Sequence, residues 1–152
     1  MDKPHDLIRR LDAARAKMRA VLADLSDDAA IYPGWTIKQV VDHITGWDDA
    51  VADALRAHAG GRQPRTPAVE GIDFYNEKSV ATRQPLTYAQ SLSEWELARE
   101  GLKMALLELP PEKFDEPLLY PWSRTGTVAQ VIEILFEHEE EHAEEVRRLT
   151  VA

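Results

Sequence analysis

An all-α four-helix bundle, with its second and fourth helices antiparallel, is the fold that the 152-residue sequence predicts. Three observations carry this expectation. Four long segments repeat apolar residues every three or four positions. Three of those segments open on the same helix-capping tetrapeptide. Histidines on the second and fourth segments fall at one depth if those two helices run in opposite directions. No strand pattern of comparable length is present, and residues 1–152 are expected to form one domain.

The first helix is expected from about Asp6 to Leu25, where Leu7, Leu11, Ala14, Met18, Val21 and Leu25 form its stripe. The second begins at Thr36 and runs to about Ala59, before Gly60 and Gly61. The third begins at Thr87, carries Tyr88, Leu92, Trp95, Ala98, Leu102, Ala105 and Leu109, and stops at Pro110-Pro111. The fourth begins at Thr127. Thr36 to Gln39, Thr87 to Gln90 and Thr127 to Gln130 all read T-x-x-Q. In this capping box the threonine oxygen accepts from a free helix N–H and the glutamine reaches back to the cap residue. Trp35 is placed to staple onto Val40. The connections are uneven: 60–86 and 110–126 are long, and the first leaves room for an extra helix from Asp73 to Arg83. Long connections permit departures from up-down-up-down order.

The net charge is −9 and no Lys/Arg cluster occurs, which argues against nucleic acid and anionic membrane surfaces as partners. The N-terminal MDKPHDLIRR has no apolar signal-type region and no apolar run reaches spanning length, so a cytoplasmic protein is expected. With no cysteine, any thiol chemistry needs a thiol from a second molecule.

The fourth helix poses the chemical question. Val128, Val131, Leu135, His138, His142, Val146 and Leu149 lie on one stripe, while Glu133, Glu137, Glu140, Glu141 and Glu144 face away. A lone histidine on an apolar stripe is usually a satisfied core residue. Two of them one turn apart must satisfy four ring nitrogens where aliphatic neighbours offer few partners, and they are spaced to grip one ion. His43 is the third candidate ligand. It lies seven residues, roughly 10 Å, into its helix. His142 and His138 lie roughly 10 to 16 Å from the far end of theirs. His5 and His58 are read as structural or solvated.

The string His138 to His142 also matches H-E-x-x-H. Within it Glu139 faces inward, as a candidate catalytic base, a hydrogen-bond acceptor behind a ligand, or an ion-pair partner. Asp48 carries the same ambiguity. Trp35, Trp47, Tyr120 and Trp122 are candidates to line the mouth of a pocket.

GWTIKQVVDHITGWDDA (Gly34 to Ala50) and LFEHEEEHAEEVRRL (Leu135 to Leu149) resemble the two signature regions of the DinB/YfiT-like superfamily. The resemblance implies a four-helix bundle in which His43, His138 and His142 bind a divalent metal. Phe74-Tyr75-Asn76 and Tyr120-Pro121-Trp122 are similar to the ClbS/DfsB branch, which adds Asn76 to the pocket candidates. That branch often lacks the complete histidine triad kept here, and the retained triad favours a metal site. The superfamily implies thiol-dependent transferases and isomerases, using mycothiol, bacillithiol or glutathione, and hydrolases of reactive small molecules. The expected cofactor is zinc or nickel, with iron or manganese as alternatives. The expected function is metal-dependent activation of a thiol or water against an electrophilic small molecule, in a monomer or homodimer. The alternative is a non-catalytic metal- or ligand-binding bundle, which a fourth protein ligand such as Glu139 would favour.

Overall fold

The computed structural model describes residues 3–26, 29–32 and 35–151. Gly34, which opens the second-helix motif, lies outside the described residues. Five α-helices are present among them: α1 (Lys3–Leu22), α2 (Ile37–Ala59), α3 (Ile72–Arg83), α4 (Tyr88–Glu108) and α5 (Val128–Val151). The long ones, α1, α2, α4 and α5, form the bundle, and α3 is the extra helix of the long connection. No helix among the described residues is long and apolar enough to cross a membrane.

All three capping boxes form. Gln39, Gln90 and Gln130 donate their backbone N–H groups to the hydroxyls of Thr36, Thr87 and Thr127, at 3.3, 3.1 and 3.1 Å. Each glutamine side chain accepts from the cap N–H in return, at 2.8, 2.8 and 3.0 Å. Trp35 and Val40 share one apolar cluster, as a staple requires. The first helix ends earlier than its stripe suggests: it stops at Leu22, and Leu25 packs on the core from beyond the helix end.

Helix directions follow from the contacts. The start of α2 packs with Ala143 and Val146, near the end of α5, whereas Val51 and Leu55 pack with Val128, Val131 and Leu135. Helices α2 and α5 are therefore antiparallel. Ion pairs Lys17–Glu140 and Arg15–Glu139 climb α1 and α5 together, so these two run parallel. Helices α2 and α4 are likewise parallel, with Asp49 and Glu94 both on Arg83, and Gly101 opposite Arg56. The bundle is thus two parallel pairs packed against each other in opposite directions. A parallel step from α2 to α4 needs a crossover, which residues 60–87 provide.

Helix α3 lies on α2 at a point where a side chain would not fit. A Cβ on Gly46 would stand 2.3 Å from Ser79 Oγ and 2.7 Å from its Cβ. Tyr75 also donates its hydroxyl to the Gly46 carbonyl at 2.9 Å. Two short antiparallel ribbons, which the sequence pattern did not reveal, complete the fold. Strand β1 (Ala30–Tyr32) pairs with β2 (Trp35–Thr36), and β3 (Leu118–Leu119) with β4 (Thr125–Gly126). The second ribbon displays Tyr120-Pro121-Trp122 on its turn and is tied to the crossover by the Ala68 N–H, which donates to the Pro121 carbonyl.

Gly46→Ala is expected to destabilise the protein by about 1–3 kcal/mol, the usual consequence of overpacking. The penalty should shrink in a Ser79→Gly background. Urea midpoints of the four proteins in this cycle measure the coupling, and a penalty unchanged by Ser79→Gly would refute the close approach.

Candidate metal centre

Helical register brings three imidazoles to one point. His43 is buried on α2, and its Nδ1–H donates to the Val40 carbonyl at 2.7 Å. A carbonyl only accepts, so this bond fixes the tautomer and leaves the Nε2 lone pair of His43 pointing inward. Across the interface, His138 and His142 stand one turn apart on α5 with Nε2 atoms 2.9 Å from each other. Nε2 of His43 is 3.1 Å from that of His142 and 3.4 Å from that of His138. Burial pushes the His43 and His142 imidazoles down to about 3 and about 2, with the neighbouring rings adding to the effect. Burial lowers His138 too, against the opposing pull of Glu141, Asp48 and Glu145. Three neutral imidazoles with converging Nε2 atoms are a nitrogen donor set for a metal ion. Tetrahedral zinc with bonds of about 2.0–2.1 Å needs ligand nitrogens about 3.3 Å apart, and the observed triangle is close to that. Among the described residues, no aspartate or glutamate joins the cluster.

Beside the triad lies a buried charge network with one member from each bundle helix. Asp48 of α2 accepts from Arg15 of α1 at 3.1 Å and from Arg99 of α4 at 3.1 and 3.3 Å. Glu139 of α5 accepts from Arg15 at 2.9 Å and from the Trp95 indole at 3.2 Å, and pairs with Arg99 at 2.9 Å. All four charged side chains are at least 97% buried. Arg15 also donates to the Trp95 carbonyl and lies over the Trp95 ring, and Arg99 donates to the Leu11 carbonyl. Both oxygens of Glu139 therefore sit on arginines, and the geometry supports the ion-pair role; no base role is proposed for it. The same holds for Asp48. Arg15 and Arg99 escaped the sequence reading, although each sits on an apolar stripe: Arg15 between Leu11 and Met18, Arg99 between Trp95 and Leu102.

The aromatic candidates separate into three positions. Trp35 packs edge-on against the His43 ring, with centroids 4.8 Å apart. Trp47 and Trp122 meet edge to face and line a cavity of about 310 Å³ that opens beside His138. Asn76 and Tyr120 stand behind them. Asn76 accepts from the Trp47 indole at 2.7 Å, while Tyr120 packs on Trp122 and donates its hydroxyl to the Thr127 carbonyl at 2.6 Å. Gly126 admits that hydroxyl, which would lie 2.2 Å from a Cβ there. Trp35 lines a different cavity, with Gln39, Asp42 and Glu77. His58 donates to the Lys113 carbonyl and takes no part in the triad.

A helical bundle with two parallel helix pairs and three converging histidines defines a class of candidate metalloproteins. The DinB superfamily profile matches residues 10–146, and the chain belongs to that superfamily. No curated protein sequence matches it. YfiT from Bacillus subtilis, described as a probable metal-dependent hydrolase with an unusual four-helix bundle topology, superposes with a TM-score of 0.73 at 18% identity, over 99% of this chain and 88% of YfiT. An uncharacterised protein from Clostridium difficile 630 superposes with a TM-score of 0.80 at 14% identity, covering 97% of this chain and 95% of that one. The mycothiol-dependent maleylpyruvate isomerase gives 0.74 at 17% identity over 96% of this chain. The chain spans 63% of the isomerase's length. At these identities the likeness is one of fold.

Two outcomes follow. Arg99→Met leaves Asp48 and Glu139 short of a buried cation and is expected to lower stability by about 3–5 kcal/mol in urea unfolding; a loss below 1 kcal/mol would mean water replaces the arginine. The second concerns acid. The unfolded chain protonates its histidines near 6.5, whereas folded His43 and His142 stay neutral to about 3 and about 2. The unfolded state therefore binds more protons below about 6.5, and the metal-free protein should lose stability as pH falls from there. His142→Gln should show a smaller loss between pH 7 and 4.5; an equal loss in both proteins would exclude a buried, neutral His142.

Proposed function

We propose that His43, His138 and His142 hold a divalent cation and that the protein is a metal-dependent enzyme acting on an electrophilic small molecule, with a thiol or water as nucleophile. The observation that carries this reading is the triangle of Nε2 atoms, 2.9 to 3.4 Å on a side, with the other nitrogen of His43 fixed by a backbone carbonyl. Bound to three neutral nitrogens, a divalent ion keeps its full charge and supplies Lewis acidity, lowering the pKa of a water or thiol toward neutrality. Zinc and nickel suit an all-imidazole set best, and iron and manganese are the alternatives to test.

The protein's own residues set the conditions. Val40 orients His43. Arg15 and Arg99 hold Glu139 and Asp48 beside the ligands and keep both carboxylates away from the triad. With no carboxylate among the described residues as a fourth ligand, the arrangement favours an open coordination position over the closed one of a structural site. Trp47 and Trp122 form an apolar wall beside His138, where a small molecule can lie next to the reacting centre. The chain has no cysteine, so a thiol nucleophile comes from a low-molecular-weight cosubstrate. Two fold relatives are described in compatible terms, one as a probable metal-dependent hydrolase and one as mycothiol-dependent.

His138→Ala should weaken metal binding by more than the roughly 10–100-fold that follows loss of a supporting hydrogen bond. Elemental analysis after dialysis checks this, and stoichiometric metal retained by the variant would refute the site. Metal-loaded protein should also consume electrophiles from a small panel, with or without added thiols, and lose that activity on chelation. Equal turnover by His43→Ala would leave a binding module in place of the enzyme. Turnover that needs no thiol would identify water as the nucleophile.

A further inference from the structure

The cavity beside His138 has a distinctive balance of chemistry. Trp47, Trp122, Ile72 and Ile134 give it apolar walls, and its charged residues are Glu137 and Glu141. No lysine or arginine lines it. Arg124, two residues beyond Trp122, lines the adjacent groove with Val69 and Phe74 instead. Glu137 and Glu141 are exposed, stand four residues apart on α5 and bracket His138. Like charges at this spacing disfavour a helix. Other acidic residues of α5 have ion-pair partners, Glu140 with Lys17 and Glu144 with Arg147 and Arg148. Among the described residues neither Glu137 nor Glu141 has an ion-pair partner.

We infer that this cavity selects an apolar small molecule that carries no negative charge, uncharged or cationic, with Glu137 and Glu141 as the residues that set the preference. An anionic group lying beside Ile134 and His138 meets two carboxylates and the field of a chain with net charge −9, while Arg124 borders the neighbouring groove, which shares Ile72 and Trp122, and is not among this cavity's lining residues. A cationic group gains the same attraction and an aromatic face. Ile72 and Ile134, 51% and 46% exposed, leave apolar surface for the rest of the molecule to cover. The volume of about 310 Å³ suits a compact ligand. Positive charge at the histidines would attract the reacting atom; it does not alter the walls along which the rest of the molecule lies.

The inference rests on the histidine triad as the reacting centre, and its test is read through binding alone. The metal-free 152-residue protein is titrated with three probes of similar shape: 2-phenylethylamine, 2-phenylethanol and 3-phenylpropionate. The readout is the indole N–H signals of Trp47 and Trp122, assigned by Trp→Phe variants. At low salt the amine should bind at least about 10-fold more tightly than the carboxylate, with the alcohol between, and the gap should narrow in 0.5 M salt, where screening acts within a few ångströms. In Glu137→Gln/Glu141→Gln the ratio should fall to about 3-fold or less as the local charge disappears. Both positions are exposed, and circular dichroism confirms that the double variant folds. A carboxylate bound as tightly as the amine, a ratio unchanged in the double variant, or no shift at either indole with any probe would overturn the inference. Zinc uptake, measured on the same preparation with a chromophoric chelator, tests the metal reading alone, so the two can fail independently.

Discussion

The structure turns on a formally neutral set of four buried charges, one from each bundle helix: Arg15, Asp48, Arg99 and Glu139. A buried charge is tolerable only when it is paired and hydrogen-bonded. Sliding any one helix by a turn, or reversing it, would leave at least one of these groups without its counter-charge. The network thereby discriminates against other registers and directions more sharply than aliphatic packing, which accepts many arrangements of similar volume. Its position makes that discrimination chemically relevant. Glu139 follows His138 directly, and Asp48 lies just over one turn beyond His43. Fixing α2 against α5 through these carboxylates also fixes where the imidazoles meet.

The crossover needed by two parallel pairs has a second consequence. A chain passing from the end of α2 back to the start of α4 must travel the length of the bundle. On the way it forms α3, docked at Gly46, and meets the Tyr120-Pro121-Trp122 turn through the Ala68–Pro121 hydrogen bond. Ile72 at the head of α3 and Trp122 on that turn become walls of the cavity beside His138. The segments that topology requires are the ones that shape access to the histidines.

Much of this was legible in the sequence because its causes are local. Apolar period, T-x-x-Q caps and proline stops act within a few residues, and they place the starts of four helices and the ends of the first three to within about three residues. The histidines could be placed because their polarity conflicted with the stripe they occupy, and a depth comparison then selected the antiparallel arrangement. Arg15 and Arg99 conflict with their stripes in the same way. They are hard to see in the sequence because Ala14 and Ala98 alongside them already complete an apolar pattern. The role of Glu139 is not legible in sequence for a different reason: its partners lie 40 or more positions away, on helices whose relative rotation no local pattern specifies. Trp35 and Trp122 likewise look alike in sequence, yet one flanks His43 and the other walls the cavity.

The polar residues also divide the core. Leu11, Val51, Leu102 and Val131 belong to one apolar cluster, and Met18, Ile44, Trp95 and Val146 to another. Along α1, α4 and α5 the ion network and the triad fall between the two, and on α2 His43 and Asp48 lie at their boundary. Replacing a buried ion network by well-packed apolar side chains is often neutral or stabilising by about 1–4 kcal/mol, so this layer is poorly explained as a source of stability. It is better explained as a constraint. Three imidazoles with Nε2 atoms directed at one point repel one another if protonated and gain little from aliphatic neighbours, so a core free to repack would tend to rotate them apart. A rigid ionic layer next to them opposes that rotation, and the aliphatic clusters on either side supply the folding free energy. Stability and site geometry are thus assigned to different layers of the bundle, which leaves exposed residues of the cavity rim such as Ile72, Ile134, Glu137 and Glu141 free to differ without unsettling the fold.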